Sequence, residues 1–418
     1  PHGTKIATPP PPTKSDRPTA AVSSQVTRPL SPSVTPLLLP VLAADRTKIA
    51  ALVKKYAQRC YVSKGKRPDL ADVVIITVAR FTHRESLANW MCAVERVGLD
   101  YMVLTPDAGL VVWLREHSPQ SKVVMLQSPA AIKVPYLVQT VFLRLRAMLA
   151  LISAGKSVLY IGQDALVLQD PMTHLLPTAA SIGAFDFRYQ QALGNHFPFN
   201  ASRGINVPGN AALLFASAGK RAAGILTASL MRMVDSAHAA STARDLTMWE
   251  VLWEAHDSGS LFHAGRCAGA RTNTARGNSS AKLRTCELDP WIFPAGYAMQ
   301  PWLTPWVQQG GIYQGEPHFG ASGSPPMRPL VLSSTGSTLS GRGVVRFLKR
   351  CGYWFVRRAG ERARTCVVVD EKSVGAFCSR VEFSRVKSSD EPAPKHCTRA
   401  GAFFDCTPQQ KRMQTEVT

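Results

Sequence analysis

The sequence lacks long apolar segments and is short of acidic residues, and both shortages limit what the protein can be. It contains no uninterrupted run of 18 apolar residues, so no segment is predicted to span a bilayer; the best candidate, residues 136–152, is interrupted by Arg144 and Arg146. Only 28 Asp and Glu residues stand against 49 Lys and Arg residues, and the net charge of +21 favours an anionic partner. Candidates are nucleic acid, a nucleotide diphosphate, an acidic polysaccharide or lipid headgroups. Hydrophobic residues make up 45% of the 418 residues, which is enough for a sizeable core and excludes a wholly disordered or fibrous chain.

The composition divides the chain into three parts. Ten of the 30 prolines lie in the first 40 residues, so residues 1–45 are predicted to form a disordered, Pro-rich linker or stalk. Residues 46–355 carry regular hydrophobic patterns and are predicted to form the main domain. Residues 356–418 are basic and contain cysteines, and we expect a small C-terminal extension. The first residue is Pro1 rather than Met, so any signal or anchor would lie upstream.

Strand and helix patterns alternate through the main domain. Residues 74–78 form a β-branched run typical of a strand buried on both faces. Thr82 and Glu85 then have the spacing of a capping box, and Gly98 supplies a helix stop before a strand at residues 101–104. Further strands are predicted at residues 123–126, 157–161, 182–185 and 211–215, and helices near residues 110–117, from Pro135 to Gly155, 221–234 and 244–255. The prediction is an α/β fold with a doubly wound, mixed but mainly parallel sheet flanked by helices, which binds ligands beyond the carboxyl ends of its strands.

The sharpest local signal is the segment from Val158 to Pro171, Val-Leu-Tyr-Ile-Gly-Gln-Asp-Ala-Leu-Val-Leu-Gln-Asp-Pro. A buried strand delivers Asp164 to its carboxyl end, where a carboxylate can meet a divalent cation bound to a diphosphate. The alternative is that Asp164 caps an ordinary turn after a strand.

This segment resembles, without a gap, the Asp-x-Asp metal motif of the nucleotide-diphospho-sugar transferase family, which includes plant and algal cell-wall arabinosyl- and xylosyltransferases. The resemblance spans roughly residues 73–355. It also rests on segments 77–80, 89–90, 106–107, 209–212, 245–246, 293–296 and 329–354. Several family positions are substituted here: Gly162 replaces the first Asp of the motif, and the others are Ala212, Leu246, Ser333 and Val344.

The resemblance implies a GT-A-type glycosyltransferase that binds a UDP-linked sugar donor and retains the configuration of the transferred sugar. It implies Mn²⁺ or Mg²⁺ at Asp164, in a site weakened by the loss of the first carboxylate. Asp245 would act near the anomeric carbon, or would simply favour the start of a helix. Asp107 would accept hydrogen bonds from the ribose, or would belong to an ordinary turn. The residues implied at the donor are Thr77, Ala79, Arg80, Asp107, Gln163 and Asn210.

Basic side chains could neutralise the diphosphate without metal. Arg146, on the helix before the Asp164 strand, is the candidate, and its alternative is a solvated helix face. Trp291, Trp302 and Trp306 could stack on an acceptor sugar, although core packing is the commoner use of Trp. His318 lies in the same region and has no evident partner.

Nine cysteines leave at least one free thiol if the others pair. Cys267 with Cys286, and pairs among Cys366, Cys378, Cys397 and Cys406, are plausible disulfides in an oxidising lumen. A zinc site at the C-terminal cysteines is disfavoured, because the Cys-x-x-Cys spacing is missing. Asn200 and Asn278 head glycosylation acceptor tripeptides.

Three functions remain open. The first is a glycosyltransferase of the Golgi or secretory-pathway lumen, a type II membrane protein through its upstream anchor, that modifies a glycan or glycoprotein. The second is a catalytically degenerate protein of the same fold that acts as a binding or scaffold subunit. The third, a basic nucleic-acid-binding protein, is disfavoured because no recognised nucleic-acid-binding motif occurs.

Overall fold

The computed structural model describes residues 35–56, 70–126, 136–178, 181–191, 209–238, 247–267, 282–288, 292–293, 330–333, 345, 348–349, 354–357, 365–366, 383–385, 398–400 and 403–405. The α-helices in this part of the chain are α1 (Thr35–Tyr56), α2 (Arg84–Arg96), α3 (Ala108–His117), α4 (Tyr136–Ser153), α5 (Met172–Leu175), α6 (Lys220–His238) and α7 (Thr247–Asp257). The strands are β1 (Val73–Val78), β2 (Met102–Thr105), β3 (Lys122–Met125), β4 (Ser157–Ile161), β5 (Ala165–Val167), β6 (Phe187–Gln191), β7 (Gly209–Ala216), β8 (Leu261–Arg266), β9 (Leu283–Glu287), β10 (Val331–Ser333), β11 (Val356–Arg357), β12 (Thr365–Cys366), β13 (Phe383–Arg385), β14 (Thr398–Ala400) and β15 (Phe403–Asp405).

One eight-stranded sheet organises the domain, with the strand order β3-β2-β1-β4-β7-β6-β9-β8. Strand β7 runs antiparallel to β4 and β6, and the other neighbouring pairs are parallel. The predicted α/β class with a mixed, mainly parallel sheet is therefore confirmed. Except for β7, all strands of this sheet end at the same edge, which we call the carboxyl edge.

Helices cover both faces of the sheet, because the central strands are apolar on both sides. Residues of α1, α4, α6 and α7 form one core, which includes Phe142, Leu226 and Trp249. Residues of α2, α3 and α5 form the second core around Trp90 and Leu110. All six residues of β1 are buried between the two cores.

Two predicted details of local structure are wrong. Helix α2 begins at Arg84, after a short 3₁₀ helix over Phe81–His83, and no side chain caps it, so Thr82 does not form a capping box. The strand predicted at residues 182–185 is a turn, and β6 begins only at Phe187. The predicted stop at Gly98 and the predicted helix end at Gly155 are both present, each with φ of 78°.

Helical structure begins within the segment that was predicted to be a linker. Helix α1 includes residues 35–45, which the composition had assigned to the linker, and it buries Leu38 and Ile49 against the core. Residues 1–34 lie outside the described part of the chain. Among the helices that the structure describes, none combines the length and apolarity needed to cross a membrane.

Two disulfides are present among the described residues. The predicted pair Cys267–Cys286 is present. Cys366 pairs with Cys92 on α2, so the prediction that it pairs within the C-terminal group is wrong. The other three cysteines of that group lie outside the described residues.

Candidate functional site

The carboxyl edge gathers side chains from three adjacent strands. Strand β1 lies between β2 and β4 in the sheet. Arg80 follows β1, Asp107 follows β2 and Asp164 follows β4. Because parallel strands end together, loops that are remote in sequence meet here.

The loops after β1 and β2 are tied to each other. Asp107 accepts a hydrogen bond at Oδ2 from the backbone N–H of Phe81, at 2.9 Å. The backbone N–H of Asp107 donates to Oγ1 of Thr105 at 3.0 Å. Asp107 therefore takes part in its turn and also fixes the segment that carries Arg80 and His83.

His83 is the residue of this site that the sequence analysis missed as a functional candidate. It ends the 3₁₀ helix after β1 and is half-buried. Burial lowers its pKa from the ordinary 6.5; the carboxylate of Asp164 raises that pKa, the charge of Arg80 lowers it, and the carboxylate of Asp107 raises it. The imidazole thus senses the charge of all three groups, and we call the four residues, which follow adjacent strands at the carboxyl edge, the edge cluster.

Arg80 is held in place from the opposite side by helix α4. Its Nη2 donates to Oε1 of Gln139 in the first turn of that helix. The residue is 7% exposed, so its charge acts in a partly desolvated setting. The guanidinium is therefore positioned before any ligand arrives.

The turn between β4 and β5 explains why Gly162 can replace an aspartate. The backbone N–H of Ala165 donates to the carbonyl of Gly162 at 2.9 Å, which closes the turn. A β-carbon placed on Gly162 would lie 2.6 Å from Oδ1 of Asp164. The carboxylate of Asp164 thus occupies the space that a side chain at position 162 would need.

Strand β10 brings a further family position to this turn. It pairs antiparallel with β5 and sets Ser333 opposite Ala165, next to Asp164 in the chain. Ser333 is buried. The resemblance expects a histidine here, so a buried serine stands beside the turn in place of that histidine.

The residues at this turn do not fit the two-carboxylate site that the resemblance implies for Mn²⁺ or Mg²⁺. Asp164 supplies one carboxylate, Gly162 supplies no side chain, and Asp164 already fills the space beside it. Asp164 remains the group here that could coordinate a cation.

Arg146 does not belong to the edge cluster. Its side chain is 1% exposed and donates to both carboxylate oxygens of Asp45 on α1, at 2.7 and 2.8 Å. The alternative of a solvated helix face is wrong. Because this charge is paired within the helical layer, Arg146 is not available as a partner for the diphosphate.

The remaining predicted site residues lie at different positions relative to the carboxyl edge. Gln163 is half-buried beside Asp164, while Thr77 and Ala79 are buried at the end of β1. Asn210 lies at the start of β7, in register with Gln190. Asp245, Trp291, Trp302, Trp306 and His318 lie outside the described residues.

A third acidic residue at the carboxyl edge was missed by the sequence analysis. Glu287 ends β9 and is buried close to Tyr189 of β6, whose ring makes an edge contact with Trp249 at 5.0 Å. Burial raises the pKa of Tyr189 well above its usual value; the charge of Glu287 adds to that rise and a hydrogen bond with Thr285 opposes it. The predicted strands end at residue 215, so strand β9 and its terminal carboxylate were not predicted.

Comparisons with known proteins give structural similarity at low sequence identity. No protein-family model matches the chain, and no curated protein matches it. Among solved structures, it is similar to the galactosyltransferase LgtC in complex with donor and acceptor sugar analogues, with a TM-score of 0.42, 14% identity and coverage of 71% of this chain and 98% of that one.

Two other solved structures are also glycosyltransferases. Mouse xyloside xylosyltransferase 1 has a TM-score of 0.36, 11% identity and coverage of 63% of this chain and 98% of that one. A glycosyltransferase involved in glycosylation of the major capsid of PBCV-1 has a TM-score of 0.34, 10% identity and coverage of 66% and 98%. The plant and algal cell-wall subfamily remains a prediction.

Proposed function

We propose that the protein is a glycosyltransferase that moves a sugar from a nucleotide-diphosphate donor, a UDP-sugar, to a glycan or glycoprotein acceptor. The observation that carries this proposal is the edge cluster of Arg80, His83, Asp107 and Asp164. It combines cationic and anionic side chains at the carboxyl edge of a mainly parallel sheet, where folds of this kind bind their ligands.

The parts of a nucleotide sugar match the chemistry of the cluster. Arg80 and His83 provide donors for phosphate oxygens. Asp107 provides an acceptor for ribose hydroxyls, close to the end of β1 where Thr77 and Ala79 would border the base and ribose. Asp164 lies on the other side of β1 and would face the sugar.

The sugar and acceptor would extend from Asp164 across β7 toward β6 and β9. Gln163 and Asn210 are proposed contacts to the donor, and Asp245 is the proposed carboxylate near the anomeric carbon of a retaining transfer. Glu287, at the end of β9, adds an acidic group on the acceptor side.

The proposed location is the lumen of the Golgi or secretory pathway, with a type II anchor upstream of this chain. The disulfides Cys92–Cys366 and Cys267–Cys286 support an oxidising compartment. The glycosylation acceptor sites at Asn200 and Asn278 are compatible with it.

The test is UDP release from a panel of UDP-sugars, together with calorimetric binding of UDP. We expect binding and turnover in the wild type, and a loss of turnover of about tenfold or more in Asp164→Asn. Asp72→Asn is the matched control, because Asp72 is 71% exposed and precedes the amino end of β1. Failure of the wild type to bind UDP at millimolar concentration would reject the donor site, and binding without turnover would favour the scaffold alternative.

A further inference from the structure

The substitution at Gly162 changes the charge balance of the donor site. A two-carboxylate motif needs a divalent cation to attract a diphosphate, because its own charges repel phosphate oxygens. In this chain the first carboxylate is replaced by hydrogen, and Oδ1 of Asp164 lies 2.6 Å from the position that a β-carbon at residue 162 would take. Rotation of Asp164 would be required before a second carboxylate could fit.

Two nitrogen-bearing side chains lie on the loop after β1, beside the strand that leads to Asp164. Arg80 is permanently charged, and its guanidinium is fixed by Gln139. His83 interacts electrostatically with both Asp164 and Arg80. These groups are supplied by the loop after β1, which is adjacent to β4 in the sheet.

The loop that carries both groups is rigidly held. The backbone N–H of His83 donates to the carbonyl of Arg80 at 2.9 Å, and Asp107 holds the N–H of Phe81 between them. Within the described part of the chain, no hydrogen bond involves the imidazole of His83. In either protonation state, the ring therefore has at least one N–H available for a phosphate oxygen.

We propose that Arg80 and His83 bind the diphosphate of the donor in place of a divalent cation, so that this chain binds its nucleotide without metal. The inference depends on the proposed function, because it concerns the same donor site. The fixed guanidinium and the imidazole donate charge-assisted hydrogen bonds to the diphosphate. These hydrogen bonds take the place of coordination by a metal ion. Asp164 then faces the sugar, with no requirement to coordinate a cation.

The first test measures UDP binding by calorimetry in excess EDTA and in millimolar Mn²⁺ or Mg²⁺. We expect the affinities for UDP to agree within about twofold under all three conditions. Arg80→Gln should lower the affinity about tenfold or more, because it removes one charge-assisted hydrogen bond. Arg84→Gln is the matched control, because that guanidinium lies over the Phe81 ring at 4.5 Å in the same segment. His83→Ala should weaken binding as well, and Arg84→Gln should not.

The second test restores the missing carboxylate. Gly162→Asp should weaken UDP binding in EDTA and make it respond to Mn²⁺, whereas Gly162→Asn, of the same size and without the charge, should gain no such response. Thermal unfolding checks that both variants fold, and the comparison of wild type with and without EDTA needs no variant. Wild-type binding that is lost in EDTA and restored by Mn²⁺ would overturn this inference while leaving the transferase proposal standing; absence of UDP binding under every ionic condition would reject both.

Discussion

At the scale of single residues, burial decides how much each ion pair contributes to stability. The side chains of Arg146 and Asp45 are 1% and 8% exposed, whereas those of Arg232 and Glu254 are 32% and 51% exposed. Removing one partner of a buried pair leaves a desolvated charge without its counterpart, and water replaces the lost partner of an exposed pair. The first pair also joins α1 to α4, so it stabilises the position of the N-terminal helix.

We predict that Asp45→Ala lowers the free energy of unfolding by about 3–5 kcal/mol, because the Arg146 guanidinium stays buried without this carboxylate. Glu254→Ala should lower it by less than about 1 kcal/mol. Urea denaturation of both variants and the wild type measures the difference. A double variant, Asp45→Leu with Arg146→Met, should recover much of the loss, since it removes both charges. Equal effects of the two single variants would contradict this account.

The protonation of His83 gives a second prediction at this scale. Burial lowers its pKa in the folded chain below 6.5, so the unfolded chain binds the proton first as the pH falls. The contribution of the neutral ring is complete above about pH 6.5 and is lost as the pH falls toward the folded pKa. The free energy of unfolding should therefore decrease more on acidification from about pH 7.5 to about pH 5 in the wild type than in His83→Asn.

NMR titration of the ring provides a direct measurement of the same property. The signal that is absent in His83→Asn should titrate with a midpoint below 6.5 in the wild type. A midpoint at or above that value, or parallel stability curves for the two proteins, would show that burial does not dominate at this position.

At the scale of secondary-structure elements, glycines have opposite roles at a helix end and within a helix. Gly155 follows α4 with φ of 78°, a conformation that residues with a β-carbon adopt at a cost. Gly224 lies on the exposed side of α6, and a β-carbon there would meet no atom within 4 Å. The backbone freedom of this glycine weakens the helix, and no turn at this position requires it.

We predict that Gly155→Ala lowers the free energy of unfolding by about 1–2 kcal/mol, while Gly224→Ala raises it by about 0.5–1 kcal/mol. Both substitutions add the same methyl group, so the opposite signs isolate the backbone conformation as the cause. Urea denaturation monitored by circular dichroism measures both. A loss of stability in Gly224→Ala would mean that α6 does not continue as a regular helix through that residue.

Elements encoded by local patterns were predictable, and pairings across the sequence were not. The buried run of β1 and the strand β4 were predicted from their apolar residues, and the structure places Arg80, Asp107 and Asp164 at strand ends as expected. The pairing of β10 with β5 depends on residues far apart in sequence, and no local pattern indicates it. His83 was missed because residues 82–85 were interpreted as a capping box, in which position 83 has no role of its own.

At the scale of the whole molecule, the charge of +21 predicts weak, salt-sensitive attraction to polyanions. Fluorescence anisotropy with duplex DNA should show binding at low ionic strength that is lost by about 0.15 M salt, because screening removes the attraction of scattered charges. Nanomolar binding that survives at this salt concentration would revive the nucleic-acid alternative.

The two disulfides in the described part of the structure constrain the chain to different extents. Cys92–Cys366 closes a loop with a sequence separation of 274, and Cys267–Cys286 one of 19. The longer link holds a segment that also docks on α2: the backbone N–H of Phe355 donates to Oδ1 of Asn89 at 2.6 Å, and Arg96 lies 5.0 Å from the centroid of the Phe355 ring. Non-covalent contacts and the disulfide therefore hold the same part of the chain.

We predict that replacing both Cys92 and Cys366 by Ala lowers the free energy of unfolding by about 2 kcal/mol more than replacing both Cys267 and Cys286, because closure of the longer loop removes more entropy from the unfolded chain. Guanidinium denaturation under non-reducing conditions compares the two double variants with the wild type. UDP binding by the Cys92/Cys366 variant should stay within about twofold of the wild type under native conditions, since the edge cluster is built on strands β1, β2 and β4, and a twofold change corresponds to only a small binding free energy. A smaller loss of stability for the long loop than for the short one would show that the contacts of Phe355, rather than the covalent link, hold the C-terminal segment on α2.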